Sequence, residues 1–118
     1  MRLTLRMPQI LTMMTAQTTS RRLIYAALVA QMLPDFLNNR VKDLKTIRAL
    51  MTDGDWTEIR RLGHNMKGSG AAFGLPPVSE FGGRIEMAAL EANTEAMDSV
   101  LDELQEFLNK GVDIGGLG

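Results

Sequence analysis

Apolar residues return every three or four positions through most of this 118-residue chain, and no stretch alternates with the two-residue period of a strand. Trp56, Ile59, Leu62, Gly63, Met66, Gly70 and Phe73 wind onto one side of a helix. Leu37, Val41, Leu44, Ile47 and Met51 do the same over Asp35 to Thr52. Val78, Phe81, Ile85 and Ala88 or Ala89 form the buried side of a helix from about Pro77 to Ala92. Met97, Val100, Leu101, Leu104, Phe107 and Leu108 make the most regular stripe, opposite Asp98, Asp102, Glu103 and Glu106, which suit a solvated face.

Turn signals separate these stretches. TDGD before Trp56 favours turn backbone, with Asp55 placed to cap the next helix and Glu58 three residues on in a capping-box arrangement. Gly74, Pro76 and Pro77 stop that helix and open the following one. Asn93 is placed to cap the last. The expected fold is all-α: an antiparallel four-helix bundle with a short additional N-terminal helix over Arg21 to Leu33, which Pro34 ends or from which it opens the next. That short helix is apolar on nearly all sides, so it is expected to lie across the others.

One of the four stretches breaks a local rule. Gly63, Gly68, Gly70 and Gly74 fall inside or at the end of an otherwise good amphipathic helix. Each interior glycine costs about 0.5–1 kcal/mol against alanine. They surround His64, the one histidine of the chain. On the helical wheel His64 points about 150° away from the apolar stripe. Its face neighbours are Arg60 one turn before, Lys67 and Gly68 one turn after, and Ala71 two turns after. Gly68 and Ala71 leave the ring unshielded, and Lys67 puts an ammonium beside it. An exposed imidazole beside a cation and cleared backbone suits a nucleophile that accepts an anionic group such as phosphoryl. Gly82 and Gly83, mid-helix further on, suit either close approach to this helix or tight packing alone.

The run HNMKGSGAAFG, from His64 to Gly74, resembles the signature of the histidine phosphotransfer (HPt) domain, H-x-x-K-G-S/A with a further glycine ten residues after the histidine. His64, Lys67, Gly68, Ser69 and Gly74 carry the match, and the order of elements extends it over roughly residues 25 to 110. The resemblance implies a phosphorelay protein. His64 would take a phosphoryl group from a receiver-domain aspartate and pass it to another receiver. Lys67 would offset phosphoryl charge, and Gly68 would clear space. Ser69 would support local geometry, hydrogen-bond a neighbour or join the docking surface, with Arg60, Arg61, Asn65, Ala71 and Ala72 around it. The implied partners are receiver domains of response regulators or hybrid histidine kinases. Mg2+ is expected on the receiver, with no cofactor or metal on this chain. The alternative is an HPt-like docking module that carries no phosphate. A hydrolase using His64 as base lacks a placed partner.

Composition narrows the classes further. The absence of cysteine removes disulfides, thiolate metal sites and a cysteine nucleophile. Lys and Arg total 13 against 14 Asp and Glu, so no global basic field argues for nucleic acid. No Walker A or kinase glycine loop is present, so the chain is expected to be a phosphocarrier rather than an enzyme. Residues 1 to 34 hold four arginines and no acid, and their apolar run is too broken for a secretory signal. Residues 1–20 are expected to be a flexible or loosely docked arm, 21–110 the helical domain, and 111–118 a glycine-rich, fraying tail. The expected state is a cytoplasmic monomer, away from the membrane.

Overall fold

The computed structural model describes the backbone of residues 7–117 and the side chains of residues 21–111. Four helices make up the described chain: α1 (Met7–Asp53), α2 (Trp56–Ala72), α3 (Pro76–Leu90) and α4 (Thr94–Leu117). The chain divides into two compact units, Met1–Met32 and Leu33–Gly118. The second holds a four-helix bundle of the C-terminal part of α1 with α2, α3 and α4.

Its core follows the predicted stripes. Leu37, Leu44 and Ile47 of α1, Ile59 and Met66 of α2, Val78 and Ile85 of α3, and Met97, Val100, Leu101, Leu104 and Leu108 of α4 are buried together. Burying one such side chain fully is worth about 1.5–3 kcal/mol, so these contacts dominate the stability of the bundle. Phe36 joins them and stacks on Phe73 with ring centroids 4.2 Å apart. Two ion pairs strap α4 to its neighbours: Arg48 with Asp102 at 3.1 Å, and Arg84 with Glu103. The Arg84 guanidinium holds the Glu103 carboxyl below the usual carboxylate range by hydrogen bonding.

The N-terminal expectation needs correction. Arg21–Leu33 is no separate short helix, because α1 runs unbroken through Pro34. A proline inside a helix removes the hydrogen bond to the carbonyl four residues back and costs about 3 kcal/mol. Here that carbonyl belongs to Ala30, and both Ala30 and Pro34 are exposed, so water can satisfy it. Burial of Phe36 and Leu37 in the next turn favours continuing the helix. The expected arm over 1–20 is helical backbone from Met7, and the expected tail from Gly111 to Leu117 is the end of α4. Side chains of 1–20 and 112–118, and the backbone of 1–6, lie outside the described residues. In the first unit, Leu23, Ile24, Tyr25, Leu28 and Met32 are exposed.

All three reversals use the same hydrogen-bond pattern. Gly54 N–H donates to Met51 and Asp55 N–H to Leu50; Gly74 donates to Ala71 and Leu75 to Gly70; Ala92 donates to Ala89 and Asn93 to Ala88. Each is a Schellman closure, with one residue in the left-handed region to satisfy the helix's last carbonyls. Gly54 (φ +70°) and Gly74 (φ +68°) reach it without steric cost, whereas Ala92 holds φ +48° with a side chain. The predicted caps form: Asp55 accepts from Glu58 N–H at 3.1 Å, and Asn93 from Ala96 N–H at 3.0 Å. The capping box stays half-made, since the Glu58 carboxylate is taken by Arg61.

Ala92→Gly relieves the one left-handed residue with a Cβ among the described residues. It is expected to raise stability by up to ~1 kcal/mol without changing the circular dichroism spectrum, a gain read from the urea midpoint at unchanged slope.

Candidate functional site

Helix α2 presents His64 to solvent with its side chain 71% exposed. Its neighbour across the helix pair is Glu86 of α3, whose Oε2 lies 2.8 Å from His64 Nδ1. A carboxylate accepts there from Nδ1–H, and in the neutral ring that leaves the lone pair on Nε2. Nε2 is the ring nitrogen further from the backbone and the one that Glu86 leaves open.

Glycine sets this contact. A Cβ added at Gly82 would lie 2.3 Å from Lys67 N and 2.7 Å from Gly63 O. One at Gly63 would lie 2.7 Å from Glu86 N, and one at Gly70 2.4 Å from Ser79 N. The bare backbones of α2 and α3 therefore touch in an antiparallel register: Gly70 against Ser79, Lys67 against Gly82, Gly63 against Glu86. His64 follows Gly63, so that register delivers the Glu86 carboxylate to its ring. Of the two readings of the α3 glycines, Gly82 shows close approach to the histidine helix, while Gly83 meets only the Lys67 side chain at 3.8 Å.

The other candidates sort into two groups. Lys67, Gly68, Arg60, Asn65, Ala71 and Ala72 are all exposed. Gly68 has nothing within 4 Å of where a Cβ would stand, so the space beside His64 is open. Lys67, among the described residues, stands in no ion pair. Arg61 and Ser69 are already engaged. Arg61 binds Glu58, a pairing that lowers the Glu58 carboxyl and raises the guanidinium. Ser69 Oγ donates to Met66 O at 3.2 Å and accepts from Arg40 Nη1 at 2.8 Å, tying α2 to α1.

That Arg40 also lies over the Phe36 ring, 4.8 Å from its centroid. Its Nε is 2.8 Å from Asp43 Oδ2, an ion pair by distance in which the N–H is not aimed along a hydrogen bond. Burial pushes the Asp43 carboxyl up, more than Arg40 pulls it down.

Beyond Lys67, an open groove of about 620 Å³ runs between α2 and α3, lined by Lys67, Ala71, Leu75, Ser79, Gly83 and Met87. Met87 is 56% exposed and gives the groove an apolar edge. Among the described residues no cluster of three or more His, Cys, Asp or Glu could hold a metal ion. No described helix is long and apolar enough to cross a membrane.

Glu86 is the residue that sequence reading missed. Its signal lay in Gly82: a glycine that lets α3 touch α2 marks the contact face, and Glu86 is one turn further along it.

Gly68→Ala and Gly82→Ala make the same chemical change in opposite surroundings. Gly68→Ala is expected to stabilise the bundle by up to ~1 kcal/mol. Gly82→Ala is expected to destabilise it by about 1–3 kcal/mol, since backbone rather than a flexible side chain must move. Urea denaturation of both variants checks the pair, and equal effects would show that α2 and α3 do not touch at Gly82.

The Hpt domain family model matches residues 31–110. Comparison with curated proteins and with solved structures finds no match.

Proposed function

The chain belongs to the Hpt domain family, whose members are phosphocarrier modules of phosphorelay signalling, and from that premise we propose that His64 is the phosphoryl acceptor and donor. The observation that carries this reading is the Nδ1–Glu86 hydrogen bond on a ring that is otherwise open to solvent.

In the proposed step, the Nε2 lone pair attacks the phosphorus of a receiver aspartyl phosphate. The N–P bond forms as the P–O bond to the aspartate breaks, and that carboxylate leaves with the bonding pair. The Nδ1 proton stays in place. The positive charge that spreads over the phosphorylated ring is met by Glu86, much as a carboxylate supports imidazolium in a catalytic triad. Transfer to a second receiver is the same step reversed.

Lys67 supplies a cation near the incoming oxygens, and Gly68 leaves the approach open. Arg60, Asn65, Ala71 and Ala72 surround the ring as docking surface. Ser69 acts through the fold, by its bond to Arg40. The chemistry of the donor, including its Mg2+, stays on the receiver, so this chain contributes a positioned nucleophile. We place the protein with cytoplasmic receivers on the same reading. A docking module without phosphate would have no use for a carboxylate on Nδ1. A hydrolase with a serine or threonine nucleophile would need a hydroxyl on Nε2, and none is bonded there among the described residues.

Incubation with a phosphorylated receiver domain tests the proposal. His64→Gln is expected to abolish labelling with the fold intact, because the residue is exposed. Glu86→Ala is expected to slow labelling about tenfold, or ~1.4 kcal/mol of barrier, with Glu86→Gln retaining more because its amide oxygen still accepts from Nδ1. A label that survives alkali and is lost in acid identifies phosphohistidine; labelling of His64→Gln would remove the assignment.

Lys67→Ala is expected to slow transfer about tenfold without ending it, and less at high salt, because an exposed charge acts through a screened field. Single-turnover transfer at two ionic strengths reads this. Loss as complete as for His64→Gln would give Lys67 a direct role.

A further inference from the structure

Residues 21–32 of α1 belong to the first unit, and all but the last two precede the region that the family model matches. Five large apolar side chains in this segment, Leu23, Ile24, Tyr25, Leu28 and Met32, are 54–64% exposed. Apolar surface gathered in this way in water marks an interaction site. On the helical wheel Ile24, Leu28, Met32 and Tyr25 fall within one arc of about 100°. Leu23 stands about 150° from the middle of that arc, among the exposed Ala26, Ala27 and Ala30. Arg21 and Arg22, both exposed, head the segment, and residues 1–34 contain no acid.

We propose that residues 21–32 dock into the surface of an anionic membrane, with Arg21 and Arg22 among the headgroups and the five apolar side chains at the acyl boundary. Charge selects the occupant first. An acid-free helix headed by two arginines is attracted to a negative surface and repelled by a second copy of itself. Coverage then separates lipid from an acidic protein. A partner packed on the Ile24–Met32 arc would leave Leu23 in water. Lipid has no single face: a helix about 10–12 Å across that sinks 5–10 Å is covered on more than one side. Arginine stems lie along apolar surface while their guanidinium groups reach the headgroups. Tyr25 brings the apolar ring and polar tip that suit the same boundary. The segment is about 18 Å long, shorter than the ~20 residues a span needs, so it lies in the surface rather than crossing. The expectation of a chain away from the membrane then holds for spanning and gives way for surface contact. This attachment does not depend on the role of His64.

Flotation of the full chain with lipid vesicles tests this. Binding is expected to phosphatidylcholine vesicles with about 30% phosphatidylserine, and to be at least about tenfold weaker on phosphatidylcholine alone, because each arginine near a negative surface adds about fivefold. Raising the salt from ~0.1 to ~1 M, which cuts the screening length from ~10 to ~3 Å, is expected to release most of the bound chain. Arg21→Gln together with Arg22→Gln is expected to bring anionic binding down about 25-fold, to the level on neutral vesicles. Leu28→Gln is expected to weaken binding about tenfold, and Leu23→Gln, on the opposite side, about threefold. Neither leucine belongs to the bundle core, so the urea midpoint of both variants is expected to stay at the wild-type value. A chain that never floats overturns the proposal, as does equal binding to both vesicles or binding that survives Leu28→Gln. Loss with Leu28→Gln and none with Leu23→Gln overturns lipid coverage and assigns the arc to a partner on one face. A concentration-dependent dimer that does not float overturns it in favour of a second copy.

Discussion

The backbone contact between α2 and α3 is what the site depends on. Two helices normally pack with axes 8–10 Å apart because side chains stand between them. At Gly63, Gly70 and Gly82 nothing stands between, and a methyl group would strike backbone atoms at 2.3 to 2.7 Å. Contact this close fixes register as well as distance. Sliding α3 along α2 would drive a side chain into a space only a hydrogen atom fills. Glu86 meets His64 because the glycines permit one alignment, and the hydrogen bond at 2.8 Å is the consequence.

This divides the motif by physical role. Gly70 and Gly63 face inward and set the packing, whereas Gly68 faces outward and has nothing near it. Gly74 serves neither purpose: it turns the chain at φ +68° so that α3 can return along α2. Ser69, between an outward and an inward glycine, binds Arg40 and so joins the histidine helix to α1. Four small residues within seven positions thus answer to open surface, close packing, a cross-link and a reversal.

Much of the bundle was legible in the sequence because burial imposes period. The stripes of Ile59 and Met66, Val78 and Ile85, and Met97 through Leu108 are all buried as spaced. Asp55, Gly54 and Asn93 marked helix ends through chemistry local to a few residues. Pro34 misled, because a breaker's cost is local while the burial of Phe36 and Leu37 that outweighs it is tertiary. Ala92 gave no sign of its left-handed backbone, since that conformation is imposed by the closure of α3 rather than chosen by alanine. His64, Lys67 and Gly68 stood out by type and spacing. Glu86 did not, being 22 residues away and one glutamate among several, identifiable only once the α2–α3 alignment is known.

A geometry held by absent side chains inverts the usual map of tolerance. Most sites are damaged by taking atoms away, and truncation to alanine finds their members. Here Lys67 can be shortened with its backbone left in place, whereas Gly82 cannot grow by one carbon without moving Lys67. Truncation has nothing to remove at a glycine, so the part of the molecule with least room to vary shows itself only when a carbon is added there, as in Gly82→Ala. The sensitive direction is growth, and single-methyl additions along α2 and α3 would trace the contact that truncation leaves unseen.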